Sequence, residues 1–171
     1  MIEMAKAMIL VENGFEDIEL LYPYYRLKEA GYEMDVVGPV SGETYTGKKG
    51  GSIKSTLAPE DVKVGEYRVL VIPGGWAPDR LRTKESMVKL VKEVDANGLV
   101  IGAICHAAQL LIEAKIVKGR RLTCVRSVST DVKNAGGDYL NEPVVVDGNL
   151  VTSRFPADMP VWLPAILKML K

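Results

Sequence analysis

The chain has 171 residues, 47% of them hydrophobic and 26% charged, as expected for one soluble globular domain spanning 1–171 with a full core. Twenty-two basic residues balance 22 acidic ones, so the electrostatic footprint of a nucleic-acid binder is missing. No apolar run approaches the ~18 residues needed to span a bilayer, and Glu3 interrupts any signal-like start. Two cysteines and a single histidine build neither a disulfide framework nor a usual zinc site. These totals predict a cytoplasmic protein with no metal, cofactor, membrane or nucleic-acid partner. Near-zero net charge is compatible with a homo-oligomer.

In chain order, residues 7–12 read as a short apolar strand. Residues 15–30 read as a helix, on the spacing of Ile18, Leu21 and Tyr25 and the stop at Gly31. A second strand is expected over 32–37, and the glycines and short β-like pieces of 42–57 predict a hairpin. A buried strand over 67–72 is halted by Pro73-Gly74-Gly75, and an amphipathic helix spans 84–97. Residues 99–104 are apolar and partly β-branched, as in a strand covered on both faces. From His106 the pattern becomes helical, with Leu110, Leu111 and Ala114 on one side. Beyond lie a strand over 121–125, a short helix over 131–135, and a last helix over 157–171. Between the last two, Asp147-Gly148-Asn149 joins two β-branched runs as a hairpin turn. Strands alternating with helices imply a mainly parallel sheet covered on both sides. Ligands bind such sheets beyond the carboxyl ends of the strands, where residues 12–16, 73–76 and Cys105 converge.

The chain must reverse direction at Cys105, between the small residues Ala103 and Ala107. A nucleophile elbow needs that layout, a tight strand-to-helix turn that pushes one reactive side chain into the open. Free N–H groups at the helix start favour a thiolate, although a buried structural cysteine would have the same neighbours. Gly75 and the residue after the nucleophile, His106, offer backbone N–H groups for a developing oxyanion. The first strand ends in Glu12-Asn-Gly-Phe-Glu16-Asp17-Ile-Glu19, whose acids read by default as helix-dipole partners. Glu16 also stands at the sheet edge where Cys105 emerges. A carboxyl hydrogen-bonded to that sulfur must be protonated, or it opposes thiolate formation. Glutamine amidotransferases with a Cys elbow take their histidine from a distant segment, and this chain has only His106.

These segments, taken in order, resemble the PfpI intracellular protease family, in the superfamily that includes the Parkinsonism-associated deglycase. The resemblance runs through Asn13-Gly-Phe-Glu16-Asp17-Ile-Glu19, Leu70-Val-Ile-Pro-Gly-Gly75, Ala103-Ile-Cys105-His106 and Asn134-Ala-Gly136. It continues through Val144-Val-Val-Asp-Gly-Asn149, Thr152-Ser-Arg154 and Pro156-Ala-Asp158. It implies a flavodoxin-like three-layer α/β/α sandwich with a nucleophile elbow, of the class I glutamine amidotransferase kind, assembled as a homodimer or larger ring, up to a hexamer. It also implies a cofactor-free cysteine peptidase, or a glyoxalase or deglycase acting on methylglyoxal and its adducts. By motif position Cys105 is the nucleophile, His106 its neighbour and Glu16 the elbow carboxyl, with Gly75 and His106 at the oxyanion. Asp79 of an adjacent subunit is implied to orient the histidine. Asp79 stands where the family usually has Glu, Ala107-Ala108 replaces Gly-Pro, Trp76 replaces Arg, and Val125 replaces a pocket Tyr. An alternative within the same resemblance is a non-catalytic redox-sensing or chaperone-like stress protein built on an oxidisable Cys105.

Overall fold

The computed structural model describes residues 4–171. Its centre is a six-stranded sheet. Strand β1 (Lys6–Leu10) leads through helix α1 (Asp17–Glu29) to β2 (Glu33–Val37). A small hairpin of β3 (Thr44–Thr46) and β4 (Ser52–Lys54) follows, outside the main sheet. The chain re-enters at β5 (Tyr67–Ile72) and passes through the short helix α2 (Ala77–Leu81) and α3 (Glu85–Ala96) to β6 (Val100–Ile104). After α4 (Ala108–Glu113) come β7 (Arg121–Leu122), α5 (Ser129–Asn134) and β8 (Asp138–Tyr139). The hairpin of β9 (Val144–Asp147) and β10 (Leu150–Ser153) precedes the last helix, α6 (Met159–Met169).

The order across the sheet is β2-β1-β5-β6-β10-β9. All pairings are parallel except β9 with β10. The order reverses between β1 and β5, and at such a switch point the two loops leave in opposite directions and open a crevice. Alternate residues of one strand enter opposite cores, as a period of two requires. Met8, Leu10, Leu70, Ile72, Ile101 and Ala103 pack with α3 and α4. Ala7, Ile9, Val69, Val71 and Ile104 pack with α1 and α6, around Trp162 and Phe15. The α/β/α sandwich with a mainly parallel sheet matches the sequence expectation.

Two local readings need correction. The helix over 15–30 exists, but Ile18 and Tyr25 are outward, at 48% and 62% exposure. The buried side carries Glu19, Leu20, Pro23 and Leu27 instead. The strand expected over 121–125 shrinks to two residues, because Thr123 N–H turns to the Thr152 hydroxyl and Val125 N–H to the Cys105 carbonyl.

Candidate active site

Strand β6 ends on extended backbone at Ile104, and Cys105 then takes φ +62, a left-handed conformation that costs a side-chain-bearing residue energy. Residues Cys105–Ala107 form a tight 3-10 turn that leads directly into α4. Ala107 and Ala108 are both buried in this turn, so the Ala-Ala pair fits it. The elbow expected from sequence is present, and it leaves the sulfur half-buried at the carboxyl end of the sheet. The neighbouring side chain of His106 does face it, with Nδ1 at 3.3 Å from Sγ.

From the other side of the switch point comes the turn after β5. A side chain on Gly74 would place its Cβ 2.6 Å from Glu19 Oε1 and 2.7 Å from the Cys105 Cβ, so only glycine fits there. Gly75 sits at φ +80, with no room for a Cβ beside the Gly14 carbonyl and the Glu16 amide. The Gly75 and His106 N–H groups lie near the sulfur, each favouring a negative charge there. The two backbone N–H groups singled out in the sequence therefore both act on the sulfur.

The carboxyl at the sulfur is Glu19, not Glu16. Glu19 lies on the inner face of α1 with no exposed surface, and its Oε1 accepts a hydrogen bond from the Gly74 N–H at 2.9 Å. Its Oε2 is buried without a well-aligned partner among the described residues. The Cys105 thiol lies against this carboxyl and draws on it as a contact rather than a well-formed hydrogen bond. Burial pushes the Glu19 acid up to about 7. Glu16 has turned away, with Lys49 Nζ at 2.6 Å and Lys48 Nζ at 3.2 Å from its two oxygens. Burial tends to raise the Glu16 acid, but the two lysines outweigh it and hold the carboxyl below its usual range.

The sulfur itself also departs from expectation. Burial first, and the Glu19 charge second, push the Cys105 thiol up to about 12, against the pull of the two N–H groups. A thiolate favoured by the turn alone is thus not the resting form. Cys105 and Glu19 must be treated as one coupled pair. That pair loses its first proton near 7 and resists losing the second. His106 is held below the ordinary imidazole range by burial, with help from the Lys48 charge, so its ring is neutral at pH 7.

Lys48 is the other group that sequence reasoning missed. It arrives at the tip of the β3–β4 hairpin, whose Lys49 and Gly51 N–H groups bond the two Asp17 oxygens at 2.9 and 2.7 Å. Nothing local in 42–57 announces this docking, although two lysines between glycines were visible. Trp76 stands beside it, 60% exposed, with Lys48 Nζ 5.2 Å from the ring centroid. Asp79 lies exposed on α2 and makes no contact with His106 within the chain among the described residues. Cys124 is buried and its thiol turns to the Val125 carbonyl at 3.2 Å. A groove of about 450 Å³ on the outer face of α1, between Tyr22 and Tyr25, holds none of these residues. Among the described residues no helix is long and apolar enough to cross a membrane.

Comparison with known proteins fits this geometry. The deglycase PfpI of Pyrococcus furiosus is 42% identical over 166 residues, 97% of this chain and 99% of that protein. Protein/nucleic acid deglycase 2 of Escherichia coli is 38% identical over 167 residues, covering 96% of this chain and 97% of its own. Among solved structures, a two-domain Anabaena variabilis protein with DJ-1/ThiJ/PfpI-like and ferritin-like domains superposes with a TM-score of 0.95 at 41% identity. That match covers 97% of this chain and 48% of the larger one. Drosophila melanogaster DJ-1beta superposes with a TM-score of 0.90 at 26% identity, covering 98% of this chain and 91% of its own. Residues 5–169 match the DJ-1/PfpI family as a whole, and the chain belongs to that family.

Proposed function

We propose that the chain is a cofactor-free enzyme whose Cys105 attacks carbonyl carbon, acting on methylglyoxal and its adducts or on peptides. One observation carries this reading: a sulfur on a left-handed elbow, faced by two backbone N–H groups and by a buried carboxyl that titrates near 7. As the sulfur bonds to the aldehyde carbon, the Glu19 carboxylate takes the thiol proton. The carbonyl π pair moves to oxygen, where the Gly75 and His106 N–H groups hold it. With methylglyoxal, the hemithioacetal then gives its C1 proton to neutral His106 Nδ1, that proton returns to C2, and the proton held by Glu19 passes to the former ketone oxygen. This leaves a lactoyl thioester, which water cleaves to lactate and free thiol. C1 is oxidised and C2 reduced, so no external oxidant is needed. With a peptide, the same addition expels the amine and leaves an acyl-enzyme.

In this reading Asp79 acts only from a neighbouring copy, in a homodimer or a larger ring, where its exposed carboxylate orients the His106 ring. The test follows methylglyoxal loss and fluorogenic peptide cleavage by wild type and Cys105→Ala. Loss of more than about a hundredfold is expected in at least one assay. Equal rates in both proteins overturn the proposal. A second reading, a redox sensor, draws on the unpartnered Glu19 Oε2 beside the sulfur, which as an acid would bond a sulfinate oxygen. Consumption of peroxide at Cys105 without carbonyl turnover selects it.

A further inference from the structure

We infer that Lys48 and Trp76 form an anion-accepting shelf at the mouth of the site, which selects 2-oxoaldehydes that carry a carboxylate tail. The inference rests on the carbonyl-addition reading and adds the substrate class to it.

Lys48 is unlike a surface lysine. Its backbone N–H is fixed to the Phe15 carbonyl at 2.9 Å, so the side chain starts from a set point at the rim. The side chain is 30% exposed, against 70% for Lys49, so less water screens its charge. Of three ammonium donors, one goes to Glu16 Oε2, the single hydrogen-bond partner of this group among the described residues. Its charge reaches the reacting groups, weighing on both His106 and Glu19. Glu16 already shows what this ammonium accepts, since a carboxylate sits on it in the resting protein.

Trp76 supplies the other half. It follows Gly75 directly, and its side chain packs over Gly14, where an added Cβ would come within 3.0 Å of the Trp76 Cβ. The indole is thus held at the rim while most of it faces solvent. An indole face accepts methylenes by apolar contact, and the adjacent ammonium accepts a charged end. A 2-oxoaldehyde with a short acidic tail uses both, whereas methylglyoxal, with only a methyl group, uses neither fully. The reaction balances as before: the aldehyde carbon is oxidised, the ketone is reduced, and one water is added. A 2-hydroxydicarboxylate is the product.

The probe is 4,5-dioxovalerate, which is methylglyoxal extended by one methylene and a carboxylate. Wild type should favour it in kcat/KM. Lys48→Met should reduce the ratio of the two kcat/KM values by about tenfold, through KM for the acid. Lys48→Arg should restore most of that ratio. Equal losses on both substrates overturn the shelf. A binding measurement in Cys105→Ala separates the two proposals. Levulinate, which has a methyl group in place of the aldehyde, should saturably quench the exposed Trp76 and leave buried Trp162 untouched. Neutral methyl levulinate should not do so, and Lys48→Met should abolish the effect. Absence of a levulinate quench also overturns the shelf. Full methylglyoxal turnover by Cys105→Ala, by contrast, defeats only the nucleophile reading.

Discussion

Glu16 and Glu19 stand three residues apart at the start of one helix and have opposite chemistry. Glu16 is held by two ammonium groups and stays ionised. Among the described residues Glu19 has one backbone N–H, a thiol and no ion-pair partner, so burial sets its behaviour and its acid moves to about 7. The residue type is the same, but Glu16 is the extended residue that precedes the helix and Glu19 lies within its first turn. The inner face of α1 decides which carboxyl holds a mobile proton and which one serves as a counter-ion. This is the separation of environments that acid–base chemistry at neutral pH requires.

The comparison is broken most sharply through catalysis. Glu19→Gln should reduce methylglyoxal turnover by about 10²-fold or more, because the group that takes the thiol proton is gone. Glu16→Gln should reduce it by less than about tenfold. Rates should also rise with pH through about 7 in wild type, as the Cys105–Glu19 pair loses its first proton. Iodoacetamide alkylation of Cys105 should follow the same rise. In Glu19→Gln that inflection should move up by at least about one pH unit. Inflections that coincide in the two proteins would assign the titration to another group.

Stability sharpens the contrast at an intermediate scale. A carboxyl whose folded-state acid is raised binds its proton more tightly in the folded protein, so its relative stabilisation is complete below about 4.5. It is lost as pH rises through about 7, where the buried group ionises. Denaturant unfolding of wild type should therefore weaken between these values by roughly 2–3 kcal/mol relative to Glu19→Gln. At pH 8 Glu19→Gln should be the more stable protein. Glu16→Gln has the smallest expected effect, below about 1 kcal/mol at pH 7, since one of its two lysines is largely solvent-exposed. A stability gain in Glu16→Gln at pH 8 would reverse the assignment of the two carboxyls.

Much of this site was legible before the fold was known. The apolar run before Cys105, the small residues around it and the Gly74-Gly75 turn each leave a local pattern, because close backbone approach restricts residue choice. Glu19 escaped for a physical reason. Ile18 and Tyr25 have a helical spacing of their own, and reading them as the inner face places Glu19 on the wrong side. The spacing of Glu19, Pro23 and Leu27, four residues apart, was the competing signal. Lys48 leaves no local pattern, since what matters is the docking of a hairpin tip onto Asp17, about thirty residues away in the chain. Helix α2, only five residues long, is too short to show a period.

That docking separates the machinery into a frame and an attachment. Cys105, Gly75 and His106 belong to turns at the carboxyl edge of the sheet, while positions 48 and 49 ride on a tip clamped by Asp17 and by glycines 47 and 51, whose missing side chains make room for its carboxylate. Random libraries confined to those two positions should therefore yield folded proteins with altered ligand charge preference, in which the backbone around the sulfur stays in place while the charge felt by His106 and Glu19 changes. Selectivity in this scaffold can drift without rebuilding the elbow.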